Sequence, residues 1–98
     1  MAVLEGFSTQ NSQGEEVTIA INFNDPGNHR ITSMTWVNSQ GGRDAIRARV
    51  WDNGQLVYDN VETSRNGQRN IPGNIQAVDD GAGGWRLPDG IEYALEVL

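Results

Sequence analysis

The sequence predicts an all-β fold, a two-layer antiparallel β-sandwich or jelly-roll-like domain with a small β-barrel as the second choice, and three observations carry this reading. Apolar and polar residues alternate along several short stretches, most plainly over residues 16–23. Clusters of Gly, Asn and Pro separate those stretches. No window repeats apolar positions at the helical spacing of about 3.6 residues. A chain of 98 residues with 37% apolar residues removes only roughly two thirds of its unfolded surface from water, so its core is thin, which suits two facing sheets. One domain over residues 1–98 is expected.

Residues 1–14 are the least regular, and the expectation is one short strand through Val3 and Leu4 followed by a mobile segment. Over 16–23, Val17, Ile19, Ile21 and Phe23 share one side and Glu16, Thr18, Ala20 and Asn22 the other, the pattern of a strand with one face on a core. Asn24, Asp25, Pro26, Gly27 and Asn28 then form a turn. The second strand, 30–38, carries Met34 and Trp36 on one side and Ile31 and Val37 on the other. Residues 39–43 read as a polar loop.

Strands at 44–52 and 55–63 flank Asn53 and Gly54, the strongest short-range signal for a two-residue hairpin. An uninterrupted ladder from that turn sets Trp51 opposite Leu56, Val50 opposite Val57, Arg49 opposite Tyr58, Ala48 opposite Asp59 and Arg47 opposite Asn60. One face then holds Ile46, Ala48, Val50, Val57 and Val61, interrupted by Asp59, and is the expected core face. The other holds Arg47, Arg49, Trp51, Leu56, Tyr58 and Asn60, an unusual mixture for a merely solvated surface. Residues 65–68 read as another tight turn, Pro72 and Gly73 as a break, 75–78 as a short apolar segment and 79–84 as a loop. Trp85 to Leu87 form a short strand, and 91–98 a strong last one with Ile91, Tyr93, Leu95 and Val97 on one face.

Composition narrows the function. Seven basic residues, all Arg, against thirteen acidic ones give a net charge of −6, which repels phosphate backbones and argues against nucleic acid as partner. No run approaches the roughly 20 apolar residues of a membrane span, and the first residues lack the features of a secretory signal. The compartment is left open, with an extracellular or cell- or virion-surface setting favoured. The chain has no Cys and one His, His29, so thiolate metal sites and the usual multi-histidine zinc sites are ruled out. No nucleophile motif surrounds any Ser, and the Asp residues sit mostly in turns, so no catalytic residue is assigned and no enzyme activity is expected. No cofactor is expected, calcium being the one cation the loops suit, through Asp79, Asp80 and Asp89, or Asp25 with Asn24 and Asn28.

Surface recognition remains. Three Trp, ten Asn and six Gln supply flat rings beside bidentate amides, the groups that hold a sugar by its apolar face and its hydroxyls. The candidate ligand-binding residues are Trp51, Tyr58, Arg49, Asn60, Arg47 and Trp85. The leading expectation is a carbohydrate-binding or adhesive module. The alternative is a structural or assembly subunit, such as a virion-decorating, fibre or adhesin-like protein, that uses the same face for protein contacts and forms a homo-oligomer. An acidic inhibitor or immunity-type protein is the minor alternative.

Overall fold

The computed structural model describes residues 2–64, 66–70 and 75–98. Among them there is no helix, and nine strands follow one another: β1 (Ala2–Gln10), β2 (Glu16–Phe23), β3 (Ile31–Asn38), β4 (Asp44–Asp52), β5 (Gln55–Ser64), β6 (Asn66–Asn70), β7 (Val78–Asp79), β8 (Trp85–Arg86) and β9 (Ile91–Val97). They form a four-stranded sheet ordered β1-β2-β3-β6, a three-stranded sheet ordered β5-β4-β9 and the small β7-β8 pair, with every pairing antiparallel. The two larger sheets face each other and, among the described residues, neither closes on itself or on the other, so the fold is a sandwich and not a closed barrel. Pro72 and Gly73 lie outside the described residues.

The alternation over β2 puts Val17, Ile19, Ile21 and Phe23 into the core, where they meet Ile31, Met34 and Trp36 of β3 and Ile46, Ala48 and Val50 of β4. Ile91, Tyr93, Leu95 and Val97 of β9 pack against that centre from one side, half-buried because β9 is an edge. Ile31 joins the core although strict alternation sets it opposite Met34. An irregularity between Asn22 and Phe23 shifts the β2–β3 register and turns Ile31 back to the inner face.

Two elements differ from the sequence expectation. The segment read as one short strand and a mobile stretch is a single nine-residue strand, β1, laddered to β2 from Ala2 to Gln10. An irregularity between Val3 and Glu5 breaks its alternation, which hides the strand from a period-two reading. Residues 66–68, read as part of a turn, belong to β6, a polar strand that exists because β3 offers it a ladder from Ser33 to Val37. Its own residues, Asn, Gly, Gln, Arg and Asn, carry no strand signal.

One end of the sandwich is closed by a polar knot. Asn38 Nδ2 donates to Asp44 Oδ2 at 2.9 Å, Asn11 Nδ2 donates to Asp44 Oδ1 at 2.9 Å and to Glu15 Oε1 at 3.0 Å, and Asn38 and Asp44 are buried. Neutral amides thus satisfy the Asp44 carboxylate and tie the β1–β2 turn to both sheets. The start of β1, at Ala2, pairs with Phe23 at the opposite end, while Val97 pairs with Ile46 near the knot. The first and last strands run in the same direction, with their free tips at opposite ends of the sandwich.

Candidate functional site

The Asn-Gly turn forms as read: Asn53 and Gly54 both have positive φ (49° and 83°), and Trp51 lies opposite Leu56. Immediately beyond, β5 bulges. Val50 pairs with Tyr58 and not with Val57, so every later partner differs by one residue from an uninterrupted ladder. A one-residue slip exchanges the two faces of a strand. Asp59 therefore lies opposite Arg49 on the outer face, and Tyr58, Asn60 and Glu62 turn inward opposite Val50, Ala48 and Ile46.

The slip exchanges which acid faces inward. Without the bulge Asp59 would sit opposite buried Ala48 in mid-strand; with it Asp59 meets Arg47 on the outer face, and Glu62, only part-buried, faces inward near the end of the strand. With it, Val57 and Val61 stay 54% and 50% exposed, which forfeits only about 1 kcal/mol each. Tyr58 then packs its ring against the core in their place.

The outer face of the β5-β4-β9 sheet is consequently a ladder of paired charges beside an aliphatic row. Arg47 grips Asp59 with two hydrogen bonds, Nε to Oδ1 at 3.0 Å and Nη2 to Oδ2 at 2.8 Å. This bidentate contact holds the Asp59 carboxyl below the usual carboxylate range and raises the Arg47 guanidinium. Arg49 Nη2 donates to Glu96 Oε1 at 3.1 Å, and its guanidinium carbon lies 5.3 Å from the centre of the Trp51 ring, a cation–π geometry. Trp51 is half-buried beneath it, while Leu56 of β5 is 46% exposed next to Val57 and Val61.

Of the six candidate ligand-binding residues, Arg47, Arg49 and Trp51 share this face. Tyr58 and Asn60 do not, because the bulge turns them to the inner side. Trp85 lies elsewhere, on β8, where its ring stacks on His29 at 3.7 Å and tilts against Phe23 at 6.3 Å. Comparison with protein-family models, curated proteins and solved structures finds no match. Asp59, Val57, Val61 and Glu96 complete the face and were not read as part of it. The one available signal was Asp59 itself, an acidic residue falling on an expected core face, which is what a skipped residue produces.

The aspartates of the acidic loops make local contacts. Asp79 Oδ1 accepts from Gly81 N at 2.8 Å, and Asp80 Oδ1 accepts from Ala82 N at 2.7 Å and Gly84 N at 3.0 Å. Those two backbone N–H groups hold the Asp80 carboxyl below the usual carboxylate range. Asp89 pairs with Arg86 at 3.1 Å. Among the described residues no three His, Asp or Glu side chains converge as a metal site would require. Asp25, the other aspartate considered, lies 3.2 Å from His29 Nε2, and Asn24 bonds Asn28.

Proposed function

We propose that this domain is a non-catalytic assembly module that docks onto protein through the outer face of the β5-β4-β9 sheet. One observation carries the reading: Leu56 and Val57, and Val61 beyond the Arg47-bound Asp59, are exposed on an edge strand beside charges that are already paired within the face. Apolar groups grouped on an edge strand favour protein contact. Compensated arginines lower the cost of desolvating the surface around them. The carbohydrate reading draws less support, since Tyr58 and Asn60 face inward and Arg47 and Arg49 each point an Nη2 group at Asp59 and Glu96. His29 is taken up by Asp25 and Trp85, which favours a structural role for the single histidine.

Two titrations test the proposal. Tryptophan fluorescence followed through mixed glycans and calcium is expected to show no saturable change; a sugar response that Trp51→Ala removes would overturn the reading in favour of a lectin-like site. Static light scattering reads attraction between protein molecules in solution. Val61→Ser is expected to weaken that attraction, while Val37→Ser, at a 51% exposed position on the other sheet, is expected to leave it unchanged. Equal effects of the two substitutions would remove the reason for choosing this face.

A further inference from the structure

We infer that the side of the sandwich bounded by β1 and β9 accepts an extended, positively charged segment of another protein, which pairs antiparallel with β9 as a fourth strand of the smaller sheet. This side lies apart from the outer face of that sheet and does not depend on docking there.

The sheets are unequal, four strands against three, and the shortfall lies over β1. Glu5 and Phe7 pair with Ile21 and Ile19 of β2, both buried in the core, so the two side chains leave β1 on its inner face. An inner-face Phe under a complete facing sheet is buried. Phe7 is instead 46% exposed, and Glu5 is exposed beside it. Of the large apolar side chains exposed among the described residues, Phe7 alone is set on an inner face by its ladder.

The strand that borders this gap is β9, whose Tyr93 feels the Glu5 charge. β1 and β9 run in the same direction, which brings Phe7, two residues beyond Glu5, level with Leu95, two beyond Tyr93. Among the described residues β9 has a strand on one side only, and its ladder to β4 runs from Ile91 to Val97 with no register shift. The other edges are blunted: β1 and β5 each contain a shift, and β6 has only five residues. A strand laid along β9 gains main-chain hydrogen bonds and covers Phe7 with one row of its side chains, while its other row stands beside Glu92 and Glu96.

Charge selects the occupant. Both rows of the incoming strand meet acid, Glu5 inside and Glu92 and Glu96 outside. Arg49 binds Glu96, but no ion pair holds Glu5 or Glu92 among the described residues. Opposite charges on neighbouring strands are stabilising and like charges are not. The net charge of −6 adds attraction for a cationic segment at longer range and opposes a second copy of this chain. The complement is a strand with Lys or Arg on both rows and an apolar group over Phe7.

The probe is an acetylated nine-residue peptide with Lys at alternate positions and Val between them, except that the Val falling beside Glu5 is also Lys. Calorimetry at low salt is expected to give a Kd of roughly 10–100 μM, with slowed amide exchange along β9. Phe7→Ser is expected to weaken binding by about tenfold. Glu5→Gln and Glu92→Gln, which keep the side-chain size, are each expected to weaken it by about threefold. Val37→Ser, on the outer face of the other sheet, is expected to leave it unchanged. Only every second N–H of the peptide points at β9, so methylating one alternate set of its amides should abolish binding and methylating the other should spare it. No binding up to about 1 mM, indifference to Phe7→Ser, or equal loss with both methylated sets would overturn the added strand. A counterpart with Glu in place of Lys that binds as tightly would overturn the choice of a cationic partner. Self-association of the chain that Phe7→Ser removes would overturn it in favour of a second copy.

Discussion

Tyr93 shows how one side chain ties the core to solution conditions. It stands on the inner face of β9, its hydroxyl is buried with no hydrogen-bond partner among the described residues, and burial together with the nearby Glu5 charge pushes its pKa up to about 12. An unfolded tyrosine ionises near 10. Between those values the unfolded chain releases a proton that the folded one keeps, so stability is complete below about pH 10 and falls as pH rises toward 12. The loss is about 1 to 2 kcal/mol once solvent screening at a half-buried ring is allowed for. Tyr93→Phe is expected to abolish this alkaline loss and, by removing an unsatisfied hydroxyl, to leave neutral-pH stability unchanged or raised by up to about 1 kcal/mol. Urea melts of both proteins across alkaline pH check this, and equal alkaline losses would show that the hydroxyl is solvated. Placing Tyr93 inward needed only the alternation of Ile91, Tyr93, Leu95 and Val97; its missing partner needed the other sheet.

At the scale of the element, the β4–β5 hairpin turns on one residue, Val57. Deleting Val57 removes the unpaired position and keeps Trp51 opposite Leu56 and Val50 opposite Tyr58, so the domain is expected to fold with a cost of about 1 to 2 kcal/mol. Deleting Asn60 moves Val61, Glu62 and Thr63 to the opposite faces and is expected to abolish cooperative thermal melting by circular dichroism. If both deletions behave alike, the bulge is not what sets the faces. The hairpin's existence, its turn and its strand ends were legible in the sequence because Asn-Gly specifies the turn and β-branched residues specify the strands. The split of Tyr58 and Asn60 from Trp51 was not, since a period-two reading assumes an unbroken ladder and each bulge inverts everything after it. The same cause hid the length of β1 and the burial of Ile31. β6 was invisible for another reason: its polar residues become a strand only because β3 has a free side.

For the whole molecule, stability rests on few layers. Folded domains of this size hold about 5 to 15 kcal/mol against unfolding. Val97 and Leu95 are paired with Ile46 and Ala48 at the heart of the core, so removing residues 95–98 strips ladder bonds and apolar cover from the central strand of the smaller sheet. A loss of more than about 4 kcal/mol is expected, seen as a chain that no longer melts cooperatively. A melt lowered by only a few degrees would mean that β4 finds its cover elsewhere. The all-β class and the sandwich followed from alternation and turn spacing, because those depend on local sequence. The order of strands depends on which edges meet, and that is a property of the folded whole.

The parallel course of β1 and β9, with tips at opposite ends, sets how the domain bears tension. Pulled by Ala2 and Val97, neither terminal strand can peel away one hydrogen bond at a time, for the force runs along the strands and loads each ladder across its full length. The domain would resist stretching by shear, and a string of such domains under load would hold until a whole strand slid free.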